Sequence, residues 1–123
     1  PFAPVTLAER AGDCYPKLHK GTYTATFMTI CTPCTEEMRR TQPAVVHIDG
    51  TARPQLITEE ANPRYRNILK KFSEKTGLPS MVNTSFNMHE EPIVRSPNDA
   101  VRALLDSGLP YLAIEGYLVT PNP

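Results

Sequence analysis

Pro79-Ser80-Met81-Val82-Asn83-Thr84-Ser85-Phe86-Asn87 is the stretch on which the architecture turns. Met81 and Val82 form a short apolar run that reads as the end of a buried strand over 80–83. The run leads into small polar side chains: Asn83, Thr84, Ser85 and Asn87. In α/β and α+β proteins a strand end is rigid and open to solvent at once, which is where ligand sites are built. Upstream, Asn62-Pro63 opens a helix that runs to about Thr76: Asn62 suits the N-cap, Pro63 the first helical position and Gly77 the terminus. Tyr65, Ile68, Leu69 and Phe72 form its apolar stripe, with Arg64, Arg66, Lys70, Lys71 and Lys75 outside. Downstream, Ser96-Pro97-x-Asp99 caps a second helix, with Val101, Leu104 and Leu105 expected inward and Gly108 as its stop. Tyr111–Ile114 and Tyr117–Thr120 read as two strands broken at Glu115-Gly116.

Nearer the N-terminus, Ala44-Val45-Val46-His47-Ile48 reads as a strand. Asp49-Gly50 is the strongest hairpin signal in the chain. Thr51 to Ile57 is then the partner strand, with Thr51, Arg53, Gln55 and Ile57 on one face. Thr24 to Ile30, rich in β-branched and aromatic residues, reads as another strand. Thr35 caps a short helix to Arg40, with Glu36 and Glu37 in its first turn. Ala8 to Tyr15 reads as a short helix, Lys17 to Tyr23 as loop. Pro1 and Pro4 confine the strand at residues 1–6 to a sheet edge. Strands alternating with turns and two clear helices give an α/β (α+β) domain.

With 123 residues, 13 basic and 13 acidic, the chain is sized for one domain and has no net charge. A nucleic-acid binder carries a basic excess, so nucleic acid is not an expected partner. No apolar run nears the roughly 20 residues that span a bilayer, so no membrane partner is expected either. Three cysteines, an odd number, argue against a disulfide framework and make the cytoplasm the default location. The chain begins Pro-Phe-Ala-Pro, without Met, and reads as a fragment of a longer protein.

Several constellations bear on chemistry. Cys31-x-x-Cys34 is one pair where a structural zinc site needs four ligands; Cys14, His19, His47 and His89 are scattered, so no metal site is expected. Neither of the Gly-rich phosphate-loop patterns occurs, and no G-x-S-x-G elbow surrounds Ser85. The 83–87 loop instead offers hydroxyls, amides and backbone N–H groups to an anion or a nucleotide. Arg53 is the natural partner, because a guanidinium binds phosphate or carboxylate in bidentate fashion. The plain alternatives are a solvated strand arginine and a well-capped turn. His47 and Asp49 flank the hairpin turn on one side of a strand, open to either a catalytic or a turn-stabilising role. Glu90 and Glu91 read as solvated turn carboxylates.

Taken in order, Pro1-Phe2-Ala3-Pro4, Phe27-Met28, Ala44 to Gln55, Asn62-Pro63-x-Tyr65, Thr76-Gly77-x-Pro79, Asn83 to Asn87, Glu91-Pro92-Ile93-Val94 and Pro97-x-Asp99-Ala100 resemble the C-terminal domain of the NodU/CmcH-type O-carbamoyltransferases. The Gly-Thr-x-Arg-x-Gln and Asn-Thr-Ser-Phe-Asn motifs are specific as a pair. Residues 8–26 and 31–42 carry no family pattern. The resemblance implies a YrdC-like fold, a twisted mixed β-sheet flanked by helices with a concave, positively charged face. It implies ATP and carbamoyl phosphate as substrates, magnesium accompanying the ATP, and carbamoyl-adenylate as product. A separate N-terminal Kae1-like domain with its own metal site then passes the carbamoyl group to a hydroxyl of a small-molecule acceptor. By motif, Arg53 and Ser85 are the catalytic residues, and Arg53, Asn83, Thr84, Ser85 and Asn87 hold substrate and nucleotide. Family members carry a basic segment before the Pro-Phe-Ala-Pro run, so residues 1–123 are expected to be a single but truncated domain, lacking that segment and the Kae1-like domain and inactive alone. The rival readings are a non-catalytic YrdC-like module that binds nucleotide or RNA, a threonylcarbamoyl-adenylate synthase-like tRNA-modification protein, and a small zinc or redox protein built on Cys31 and Cys34.

Overall fold

The computed structural model describes residues 2–20 and 22–121. The chain divides into two compact units, Pro1–Thr84 and Ser85–Pro123. The expected strand at 1–6 begins on Pro1, outside the described residues. From Ala3 the strand forms, as β1 (Ala3–Leu7), and it is not an edge. It is the centre of a mixed three-stranded sheet, parallel to β4 (Gln55–Ile57) and antiparallel to β5 (Ser80–Asn83). Leu7 donates its N–H to Pro79 O at 3.1 Å, toward the β5 side. Because N–H directions alternate along a strand, the nitrogen of Pro4 points the other way, toward β4. The parallel ladder there starts only at Val5 opposite Gln55, so the donor that proline lacks is never required.

All five residues of β1 are buried, as expected of a strand covered on both faces. Val5 and Leu7 join Ile57 in packing on Leu69 of α4 (Pro63–Thr76), with Tyr65, Phe72 and Met81 around them. Thr6 points to the opposite face, where its hydroxyl meets the buried Tyr15 hydroxyl at 2.8 Å. That second core gathers Cys14, Tyr15, Leu18, Ala25, Cys34, Met38, Val45 and Ala52 against Leu56 of β4. Helix α4 has the expected termini: Asn62 Oδ1 accepts the Tyr65 N–H, and Gly77 closes it at φ +77°. Ile68, expected inward, is exposed.

Two expected strands are absent. Between Thr24 and Ile30 the chain instead forms the end of a short helix, α2 (Thr22–Ala25), and a turn. The hydroxyls of Thr26 and Thr29 bond back to Tyr23 O and Thr24 O, and Met28 adopts φ +55°. Local side-chain bonding outcompetes the ladder that the β-branched composition favours. Over 44–48 the apolar run folds into a 3₁₀ turn, Pro43–Val45, that buries Val45. The Asp49-Gly50 turn does form: His47 N donates to Thr51 O at 2.7 Å, and Gly50 takes φ +78°. The expected strand 51–57 is broken at Arg53-Pro54 into β3 (Thr51–Ala52) and β4. Strand β3 pairs with β2 (Thr32–Pro33), so the two halves serve different sheets. Between β2 and the 3₁₀ turn lies α3 (Glu36–Thr41), capped by Thr35 as expected. Residues 8–14 form a 3₁₀ turn (Ala8–Arg10) and α1 (Ala11–Cys14). The expected loop at 17–23 contains a further 3₁₀ turn, Leu18–Lys20, and the start of α2.

The second unit packs α5 (Pro97–Ser107) on the hairpin of β6 (Leu112–Ile114) and β7 (Tyr117–Val119). Ser96 caps α5 and Gly108 ends it in the left-handed region. Its buried stripe is Ala100, Ala103 and Leu104, while Val101 and Leu105 are exposed. Small alanines let the helix sit close to the short hairpin, and the larger residues flank that seam.

Candidate functional site

The Gly-Thr-x-Arg-x-Gln motif resolves into parts with separate duties. A Cβ on Gly50 would lie 2.6 Å from the guanidinium carbon of Arg39, which also donates from Nη2 to Gly50 O at 3.3 Å. The positive φ is what calls for glycine there, since the guanidinium end of the flexible Arg39 side chain can move aside. Thr51 ties the turn together: its hydroxyl donates to Asp49 Oδ1 at 2.8 Å, and its backbone N–H donates to the same oxygen at 3.0 Å. These bonds hold the Asp49 carboxyl below its usual range. With the Thr51 proton spent on Asp49, the 3.1 Å contact to His47 Nδ1 is made by an imidazole N–H. His47 and Asp49 are thus linked through Thr51, an arrangement that locks the turn.

Arg53 follows, exposed, between the buried Ala52 and Pro54. Fixing the backbone on both sides presents the guanidinium to solvent without tethering it. Among the described residues of the first unit Arg53 makes no ion pair. Gln55 then reaches across β1, where its Oε1 accepts from Asn83 Nδ2 at 2.7 Å. The structure therefore links Asn83 to the motif that carries Arg53 through Gln55. Gln55 was not singled out from sequence, although its place in the motif was the available signal. Thr84 is exposed.

In the second unit, Ser85 donates its hydroxyl to Asn87 Oδ1. Asn87 Nδ2 donates to Met88 O at 2.9 Å and to Glu91 O at 3.0 Å. Every polar atom of the Asn87 side chain is thereby engaged in clipping the 85–91 loop, in which Glu90 takes φ +65°. The Val94 N–H, donating to Phe86 O at 2.9 Å, closes the loop from the far side. An anion needs donors, so Ser85 can serve one only by turning its hydroxyl away from Asn87. A cleft of about 350 Å³ lies beyond the loop, bordered by Glu91, Arg95, Asp99 and Arg102, two cations matched by two carboxylates.

Comparison with known proteins decides the lineage. The model of the family described as carbamoyltransferase C-terminus matches residues 1–121. This chain belongs to the carbamoyltransferase C-terminus family. Among its relatives, nodulation protein NolO of Bradyrhizobium diazoefficiens is 37% identical over 123 residues, all of this chain and 22% of that protein. An uncharacterized protein of Methanocaldococcus jannaschii is 42% identical over 97% of this chain and 19% of its own length. The 3'-hydroxymethylcephem-O-carbamoyltransferase of Streptomyces clavuligerus is 37% identical over 59 residues, 48% of this chain and 11% of that protein. The chain spans about a fifth of the length of the first two.

Within this carbamoyltransferase C-terminus the cysteine pair has no shared environment. Cys31 is exposed and Cys34 is buried. Burial pushes the Cys34 thiol up to about 11 and the Cys14 thiol up to about 12, so both are protonated and unreactive at neutral pH. Among the described residues no group of three or more His, Cys, Asp and Glu side chains is placed to hold a metal ion. No helix among them is long and apolar enough to cross a membrane.

Proposed function

We propose that this chain is the C-terminal part of an O-carbamoyltransferase that activates carbamoyl phosphate with ATP. Water converts carbamoyl phosphate to carbamate and phosphate. The carbamate oxygen then displaces pyrophosphate from the α-phosphorus of ATP, giving carbamoyl-adenylate. On a Kae1-like N-terminal domain, a hydroxyl of a small-molecule acceptor takes the carbamoyl group and AMP leaves. Magnesium travels with the ATP phosphates, and the cytoplasm, which supplies ATP, is the place of reaction. Arg53 binds the phosphate of carbamoyl phosphate. Ser85, once turned from Asn87, and Thr84 add hydroxyl donors toward nucleotide phosphates. Charge developing on transferring phosphoryl oxygens needs fixed cationic and N–H or O–H donors and no covalent nucleophile.

The observation that carries this reading is the exposed guanidinium of Arg53, set between two buried residues in a chain of carbamoyltransferase lineage. Calorimetric titration of the full-length protein with carbamoyl phosphate and with ATP tests it, alongside Arg53→Ala. The wild type is expected to bind both. The variant is expected to bind carbamoyl phosphate about 10- to 100-fold more weakly, the range for a lost hydrogen bond to a charged group, with unchanged thermal unfolding. Unchanged binding in the variant removes Arg53 from the site. A folded wild type that binds neither ligand overturns the transferase reading, and salt-sensitive RNA binding in their place would favour a binding module.

A further inference from the structure

Gln55 and Asn83 stand on the two strands that flank β1, and their side chains meet over it. A primary amide carries two N–H donors and one acceptor oxygen. Asn83 Nδ2 spends one proton on Gln55 Oε1 and directs the other at Met28 Sδ, 3.9 Å away. Met28, a non-glycine residue at φ +55°, places its thioether against this amide. What remains is Asn83 Oδ1, an acceptor, and Gln55 Nε2, a donor. If both amides are turned over, donor and acceptor change places and the pair still offers one of each. Both side chains are half-buried, sheltered enough for hydrogen bonds to discriminate and open enough to be reached.

An acceptor oxygen is of no use to a phosphate, which takes donors only. A free donor and a free acceptor on two amides joined by a hydrogen bond can together meet a primary amide, which offers an N–H and a C=O. Carbamoyl phosphate has one end of each kind. The guanidinium of Arg53, two residues before Gln55, suits its phosphate. We propose that the Gln55–Asn83 pair reads the carbamoyl amide of carbamoyl phosphate and sets the preference over acyl phosphates that lack an N–H. This inference rests on the transferase reading above. Adenine offers a similar donor–acceptor edge, so the test separates the two sources.

The full-length protein is titrated calorimetrically with carbamoyl phosphate, with acetyl phosphate (a methyl in place of the amino group) and with ATP. Wild type is compared with Gln55→Met and Asn83→Leu, each checked by thermal unfolding. A site built to bond an N–H rejects the analogue without one strongly, so the wild type is expected to prefer carbamoyl over acetyl phosphate by about 100-fold or more. Either variant should cut that preference below about 10-fold through weaker carbamoyl phosphate binding, with ATP affinity within about twofold. If Asn83→Leu does not fold, Gln55→Met, unbranched and without the amide, carries the test. A wild type with no preference, or variants that keep it, overturns the inference. So does a loss of ATP affinity with carbamoyl phosphate binding intact, which would assign the pair to adenine. A folded wild type that binds neither carbamoyl phosphate nor ATP overturns the transferase reading and this inference together; one that binds ATP but not carbamoyl phosphate, or normal binding untouched by either variant, overturns this inference alone.

Discussion

The Thr6–Tyr15 hydrogen bond offers a sharp test of how the first unit is held. Thr6 is fully buried on the central strand and Tyr15 is 1% exposed, and their hydroxyls meet at 2.8 Å. Burial holds the Tyr15 phenol far above its ordinary range, so it stays neutral and the measurement at pH 7 reports a hydrogen bond, not a charge. Tyr15→Phe leaves the Thr6 hydroxyl buried without this partner, which costs about 1–3 kcal/mol. Thr6→Val, nearly isosteric, strands the Tyr15 hydroxyl at a similar cost of about 1–3 kcal/mol. The double variant has neither polar group to satisfy, so it should lie within about 1 kcal/mol of wild type. Urea unfolding of the four proteins closes the cycle. A double variant less stable than both singles, or losses that simply add, would refute the claim that each hydroxyl is buried for the sake of the other.

Other outcomes follow from the turn, the thiols and the exposed arginine. Gly50→Ala should destabilise by about 1–2 kcal/mol, from the left-handed conformation, while the flexible Arg39 guanidinium moves aside; an Arg39→Ala background should leave the thermal shift nearly unchanged, and a much smaller shift there would refute this. A thiol reagent at pH 8 should modify Cys31 rapidly and leave Cys14 and Cys34 protected in the folded protein, counted by mass spectrometry. The folded Asp49 carboxyl titrates below its unfolded value, so its stabilising contribution is complete above about pH 4 and is lost as pH falls through the folded value. Thr51→Ala should move the Asp49 midpoint, followed by NMR, upward; no movement would show that the Thr51 hydroxyl does not set it.

What was legible depended on whether the cause was local. The termini of α4 and α5 are set by residues within a turn of each end, Asn62-Pro63 with Gly77 and Ser96-Pro97 with Gly108, and both helices stand where the sequence puts them. The Asp49-Gly50 turn was legible for the same reason. The apolar run Ala44–Ile48 was not, because a run of such residues does not say whether a partner strand lies beside it. Pro4 suggested an edge because the direction of its missing N–H is fixed only by the register with β4 and β5. In the candidate site, Arg53 and the polar 83–87 loop could be picked out by type and motif. The bond from Gln55 to Asn83 could not, since it joins residues brought together across a third strand. Nor does the Ser-x-Asn spacing reveal that Ser85 and Asn87 satisfy one another.

The sheet's wiring also bears on how the chain is made. Val5 pairs with Gln55 on one side and Met81 on the other, so β1 leaves the ribosome ahead of partners encoded fifty and seventy-six residues later. Contacts so distant in sequence form slowly, and until they do the strand is exposed to wrong partners. Pro4 limits that exposure, because it removes a donor that a stray strand could use. A pause in translation between residues 57 and 83 would hold the nascent chain with its central strand lacking β5, so synonymous codons in that window are a place where mRNA, rather than protein, sequence would bear on the yield of folded product.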